Sequence, residues 1–390
     1  SGIFGATGTG KSFLTRMVLA GLMKTDVAAA LVFDMHNEYG FDDTASDRGT
    51  RVDGLKSLFR TKVEVAALGP GSMAGSNRPD FDVVLSADEF TVEDILLVGE
   101  KLHLTETSAA TLSALERSFN NKWFSKFMAM DPTAEEFDED GKKRPAPNSV
   151  AFWARGANVN DEAAKGLYRR LKPIYDKAYI VETPAVDAVA EIVNRLENGR
   201  HVILSFGRFE AEEDYLLVSN ILTRRIRDKW VKATESYKSG GGSAPRPLVI
   251  VVEEAHKLLS PGVSRQPAFG TIARELRKYN VTLLIVDQRP SGIDDEVMSQ
   301  LGTRVTGWLG DEDDIRAVLS GLAGRDQLRG MLARLQEKEE VLLLGWGVKM
   351  PIPIRSRRYD KRFFDEMRGR ATLTTPEKPY TREDLNNDLF

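Results

Sequence analysis

Residues 3–12 read IFGATGTGKS. Within them, Gly5-Ala6-Thr7-Gly8-Thr9-Gly10-Lys11-Ser12 fits the spacing G-x-x-x-x-G-K-[ST]. The glycines let the backbone turn its N–H groups toward a β-phosphate. An apolar Ile3-Phe4 pair stands before the loop, and a helical stretch from Ser12 through Leu22 follows it. The N-terminal end of that helix adds partial positive charge where a phosphate would lie. Lys11 is expected to reach the β- and γ-phosphates of ATP, and Ser12 to ligate Mg2+. A phosphate loop requires a strand in front and a sheet around it, so this stretch commits the chain to an α/β fold.

A second stretch, PLVIVVEEAHK (Pro247–Lys257), supplies what hydrolysis needs. Five apolar residues, Leu248 to Val252, suit a parallel strand buried on both faces. Two carboxylates follow at its C-terminal end, where ligands bind in such sheets. Glu253 is expected to hold Mg2+ through water, and Glu254 to act as general base on the attacking water. NVTLLIVDQRP (Asn280–Pro290) is a third buried strand, ending in Asp287, Gln288 and Arg289. Gln288 is placed to sense the γ-phosphate or orient the water. Between these strands, TIARELRKYN (Thr271–Asn280) places Ile272, Leu276 and Tyr279 on one helical face. Arg274 and Arg277 lie off it, as an arginine finger acting on a neighbour's γ-phosphate would. ALVFDMHNEYG (Ala30–Gly40) is a further strand ending in Asp34, His36, Glu38 and Tyr39. Its acids are expected beside the phosphate loop, with His36 in a hydrogen-bonding role.

Composition narrows the classes. The chain has 390 residues, 42% apolar and 29% charged, enough for one large α/β domain with insertions or for two domains. It has no cysteine, which excludes disulfides and thiolate zinc sites. His36, His103, His201 and His256 are scattered, which argues against zinc. No run of 18 apolar residues exists, so no membrane span is expected; the expected location is cytoplasmic. A net charge of −4 confines any nucleic-acid contact to a local basic surface, such as a pore lined by several subunits.

Together these segments resemble the HerA family of hexameric DNA translocases, within the larger group that includes FtsK. FDMHNEY is similar to the family's D-x-H-x-E-Y strand end, and VVEEAHK to its acidic strand end with Glu-Glu. Residues Ala273–Val305 resemble its helix, sensor strand and following turn, and VLLLGWGVKMPIPIRSRR (Val341–Arg358) its last core strands. The similarity spans most of residues 1–70 and 200–365. It implies a RecA-like P-loop ATPase core working as a homo-hexameric ring around double-stranded DNA. Gln288 takes the sensor role by that similarity, and Arg277 acts as the finger on the next subunit. It also implies a partner nuclease of the NurA type, in DNA end processing, or an effector enzyme in antiviral defence. Two departures stand out. Family members carry a small β-barrel before the phosphate loop, whereas here only Ser1 to Phe4 precede the loop's first glycine, Gly5; the expectation is that such a barrel has been lost or removed. Asn37 stands where glycine is common in the family.

The remaining segments divide the chain into residues 1–85 and 201–365 as two parts of the core, 86–200 as a mainly helical insertion, and 366–390 as an extended C-terminal arm. The insertion resembles the family's lid, and the arm its brace on the next subunit. Residues 131–145, with Asp131, Glu135, Glu136, Asp138, Glu139 and Asp140, read as an exposed acidic loop. Asn160–Ala178 reads as a helix interrupted near Pro173, and a long helix is expected after HVILSFGRF (His201–Phe209), to about Lys232. Candidate DNA contacts are Arg265 in the loop 260–269, and Lys122 and Lys126 beside Trp123 and Phe124. The basic run Arg355, Arg357, Arg358, Lys361 and Arg362 suits phosphate or a neighbouring subunit. Two rival readings remain. One is a conjugation or secretion ATPase, against which FDMHNEY and EEAHK argue. The other is a nucleotide-gated scaffold that assembles a nuclease or effector without translocation, against which the complete catalytic set argues.

Overall fold

The computed structural model describes residues 1–44, 51–73, 77–261, 275–336 and 338–369; for Leu276 and Arg277 it describes the backbone. Ten strands form one sheet: β1 (Gly2–Phe4), β2 (Ala29–Asp34), β3 (Val63–Leu68), β4 (Phe81–Val83), β5 (His201–Ser205), β6 (Leu248–Glu253), β7 (Val281–Asp287), β8 (Thr303–Thr306), β9 (Glu340–Gly345) and β10 (Ile352–Arg355). Their spatial order is β10-β9-β8-β1-β7-β6-β2-β5-β3-β4. Neighbours from β8 to β4 run parallel, while β8, β9 and β10 pair antiparallel.

The apolar runs account for the central strands. Side chains alternate between faces along a strand, and both faces here are covered. Leu31, Phe33, Val202, Leu204, Ile250 and Val252 join one cluster with Ile226 and Trp230 of the helix Glu212–Lys238. Val32, Ile203, Val251 and Val286 face a second cluster with Leu19 and Met23 of helix α1 (Lys11–Thr25) and with Phe363 and Phe364. Each such side chain contributes roughly 1.5–3 kcal/mol on burial, which is why the strand positions facing these two clusters are apolar.

Register then decides what the strand tips present. Phe4 pairs with Asp287, Val286 with Glu253, and Val252 with Phe33. The residues that follow β1, β6, β7 and β2 therefore emerge along one edge. The strand that carries Gln288 lies between the phosphate-loop strand and the strand that carries the two glutamates.

Between β4 and β5 the chain is mostly helical: Val92–Leu97, Glu106–Phe119, Trp123–Met128, Val150–Gly156, Asp161–Tyr175 and Ala188–Glu197. Asp94 anchors this segment. Its buried carboxylate accepts from Thr91 N–H at 2.8 Å, Asn220 Nδ2 at 2.5 Å and Arg224 Nη1 at 2.6 Å. The last two belong to Glu212–Lys238, which runs six residues beyond the expected Lys232. Three expectations need correction. The acidic stretch is a hairpin, Glu135–Phe137 against Lys143–Pro145, because its charges pair across the strands: Lys143 with Glu135 at 3.0 Å and Arg144 with Glu136 at 2.8 Å. Pro173 does not interrupt its helix, since it sits in the last turn, two residues from the end. Trp123 and Phe124 are not available to stack on DNA bases. Both are fully buried, and Trp123 Nε1 donates to Phe90 O at 2.8 Å. No helix among the described residues is long and apolar enough to cross a membrane.

Candidate functional site

Gly8 and Gly10 adopt φ of 81° and 88°, a region that favours glycine, and Gly10 caps α1. The loop is framed from β8: Gly307 N–H donates to Phe4 O at 2.8 Å, and Ala6 N–H to Trp308 O at 3.0 Å. A Cβ at Gly5 would stand 2.8 Å from Thr9 Oγ1 and displace that hydroxyl, which donates to Ala6 O. The loop, the two glutamates and Gln288 line a single cavity of 1260 Å³.

Three polar contacts join the strand tips across it. Thr7 Oγ1 donates to Gln288 Oε1 at 2.7 Å, and Gln288 Nε2 donates to Glu254 Oε2 at 3.4 Å. Lys11 Nζ lies 3.8 Å from Glu254 Oε1. Gln288 thus spans from the phosphate loop to the second glutamate, and Lys11 faces the same carboxylate. Glu254 sits in left-handed backbone, φ 47° and ψ 47°, at the turn into Ala255–Lys257. Strain of this kind persists where the surroundings over-determine it and collects at functional sites; here it turns Glu254 toward the cavity, while Glu253 ends the strand.

Glu253 is buried differently. Its Oε1 accepts from Tyr39 OH at 3.0 Å, its backbone carbonyl accepts from Tyr215 OH at 2.6 Å, and its Oε2 is buried with no partner among the described residues. Burial, then the nearby Asp34 and Glu38 carboxylates, push its pKa well above the usual carboxylate range. Burial likewise raises Asp34 to about 6, against the opposing N–H bonds from Tyr39 and Glu38. Asp34 therefore staples the turn 34–39 from inside. Glu38 and the exposed His36 reach the cavity, and Asp34 does not line it. Asn37 takes positive φ of 59°, a conformation open to glycine or asparagine.

One pair lacked a role in the sequence reading. His256 Nδ1 lies 3.0 Å from Asp287 Oδ2 and 3.6 Å from Glu254 Oε2, and its backbone N–H donates to Asp287 Oδ2 at 2.6 Å. The hydrogen bond to Asp287 raises the imidazole pKa. Burial pushes Asp287 up, but His256 and the Arg289 N–H bind its ionised form and hold it below its ordinary value. The pair forms a hydrogen-bonded brace beside Glu254. A histidine two positions after the glutamates and an acid ending the next strand were the signals, visible only once β6 and β7 are known to be adjacent.

Arg277 belongs to the short turn Leu276–Tyr279, and its side chain lies outside the described residues. Arg265, Arg274 and Ile272 also lie outside them, as do residues 370–390 of the expected arm. Much of the basic run pairs within the chain: Arg357 with Glu366 at 2.8 Å, Arg358 with Glu339 at 3.3 Å and Arg355 with Glu339 at 3.1 Å. Arg357, Arg358 and Lys361 line the cavity.

Residues 1–226 match the family described as "Helicase HerA, central domain". Among similar proteins, the DNA double-strand break repair helicase HerA of Saccharolobus solfataricus is 28% identical over 362 residues, covering 90% of this chain and 63% of that protein. That of Pyrococcus furiosus is 24% identical, covering 95% of this chain and 66% of that protein. The chain thus spans somewhat less than two thirds of the length of these relatives. Among solved structures, VirB4 of Thermoanaerobacter pseudethanolicus is similar in fold, with a TM-score of 0.54 at 16% identity, covering 93% of this chain and 90% of that one. The conjugative coupling protein TrwB reaches 0.53 at 13% identity, covering 91% and 84%. Both likenesses concern the fold: the RecA-like type that the resemblance implied.

Proposed function

Since the chain belongs to the HerA helicase central-domain family, we propose that it is the motor portion of an ATP-driven translocase acting on double-stranded DNA as a homo-hexameric ring. The observation that carries this reading is the bridge from Thr7 through Gln288 to Glu254, with Lys11 opposite. It supports the reading because it brings Lys11, Glu254 and Gln288, the residues assigned to phosphate binding, base and sensor, into one cavity. Backbone N–H groups of Gly5 to Ser12 cradle the phosphates, and Lys11 neutralises the β- and γ-oxygens. Ser12 and Glu253 would hold Mg2+, which supplies charge compensation at the phosphates. A buried carboxylate oxygen without a donor, as on Glu253, suits a cation or its bound water. Glu254 accepts the proton of the attacking water, Gln288 orients that water, and Arg277 of the neighbouring subunit stabilises the developing charge.

Residues 1–85 and 201–365 work as one ATPase core, 86–200 as an insertion over the ring, and 366–390 as an arm bracing the next subunit. A nuclease of the NurA type or a defence effector is the partner. The test is steady-state ATP hydrolysis with and without linear duplex DNA. We expect DNA to stimulate turnover, and Glu254→Gln to lower it about 10²–10⁴-fold while nucleotide still binds. Turnover indifferent to DNA would replace the motor by a nucleotide-gated scaffold. Turnover retained in Glu254→Gln would remove the base assignment.

A further inference from the structure

The cavity is larger than a mononucleotide needs: ligand sites run to about 300–1,000 Å³, against 1260 Å³ here. Its end nearest Glu254 suits phosphates. The cavity is also walled by Phe13 and Met17 of α1 and by residues of the segment 356–368. That segment is fastened to the same chain. Tyr359 OH donates to Asp53 O at 2.9 Å, Lys24 Nζ donates to Glu366 O at 2.9 Å, and Phe363 and Phe364 are buried against α1. The rings of Phe13 and Tyr359 stack at 6.0 Å with 28° between their planes. The Arg16 guanidinium lies 5.8 Å from each ring centroid. Phe13 nevertheless stays 36% exposed, directly after the Lys11-Ser12 pair. Lys361 lines the same wall with no ion pair or hydrogen bond among the described residues.

An exposed aromatic ring braced from behind, in one cavity with a cation that has no partner among the described residues, is chemistry that receives a flat, acceptor-rich ring. We propose that Phe13, backed by Tyr359, and Lys361 seat the base and ribose of the nucleotide, so that the C-terminal segment sets nucleotide affinity together with the phosphate loop. Phe13 offers its ring for stacking. The Lys361 ammonium is donor-only and pairs with acceptors of the purine or ribose. Tyr359 acts through Phe13 as a positioning residue. The proposal rests on the nucleotide reading of the phosphate loop.

The experiment compares binding of Mg-ATP and of Mg-tripolyphosphate, which lacks base and ribose, by calorimetry. Phe13→Ala and Lys361→Ala should each weaken ATP about tenfold while leaving tripolyphosphate within about twofold. Tyr359→Phe, which keeps the ring, should bind both ligands like the unsubstituted chain. ATP affinity unchanged in both alanine variants would overturn the proposal. Equal weakening of ATP and tripolyphosphate would also overturn it, by assigning this wall to phosphate. Lys11→Ala serves as the separate control: if it weakened neither ligand, the phosphate-loop reading itself would fail, whatever the other variants did.

Discussion

The strand-tip edge and the helical segment before β5 both bury carboxylates, and they treat them in opposite ways. Asp94 in the helical segment receives Thr91, Asn220 and Arg224, so its charge is matched inside the protein. At the strand tips, Glu253, Asp34 and Glu38 stand together, and one buried oxygen of Glu253 and one of Glu38 have no partner among the described residues. Their mutual repulsion in a poorly solvated place costs stability. A matched buried charge holds the fold together. An unmatched one marks the place where a ligand is to complete the balance.

Each side of this contrast can be pressed. Asp94→Ala leaves Arg224 and Asn220 without their partner, and we expect a loss of about 3–5 kcal/mol, read as a lower urea midpoint. Nucleotide affinity of the folded fraction should not change. If the variant lost little stability, Asp94 would not be an anchor.

The next effect is a pH dependence in which two groups oppose each other. Asp34, raised from 3.8 to about 6, favours the folded state below pH 3.8, and that contribution is lost as pH rises through about 6. His201 is fully buried with neither ring nitrogen bonded among the described residues, and burial lowers it from 6.5 to about 4. It therefore costs nothing above pH 6.5 and progressively destabilises as pH falls toward 4. Each gap corresponds to roughly 3 kcal/mol, so the two nearly cancel in the unaltered chain. His201→Leu removes one of them. Its unfolding free energy should then fall between pH 4 and 6, by about 3 kcal/mol from Asp34 with the raised Glu253 acting in the same direction, and a flat profile would show that neither acid is strained. The smallest effect belongs to the hairpin, where Lys143 and Glu135 are both exposed. Lys143→Ala should shift stability by less than about 1 kcal/mol, and a larger loss would mean the hairpin packs against something else.

Glu254 shows how far the sequence could be read. Its place after five apolar residues marked it as a strand-end carboxylate, and Gln288 was marked in the same way. Neither position says that the two touch, because contact depends on β7 lying beside β6 and on their register. Trp123 and Phe124 teach the converse. Beside two lysines they resemble a nucleic-acid surface, yet the helix Trp123–Met128 turns both rings inward, and one-dimensional spacing does not report which face of a short helix is covered. The hairpin at 135–145 escaped notice because its strands are short and charged, held by cross-strand pairs rather than by an apolar alternation.

The sequence by itself determined the phosphate loop, the strands that follow the strong apolar runs, and the acids and glutamine at their tips, because these are local: each depends on neighbours within about ten residues and on periodicity. Tertiary structure alone decided that Lys11 faces Glu254, that His256 pairs with Asp287, and that residues 356–368 close the cavity begun at residue 5. Those contacts join positions from 31 to more than 340 residues apart. They are fixed by strand order, register and the docking of Phe363 and Phe364 on α1, which hydrophobic burial selects for the chain as a whole and no local stretch encodes.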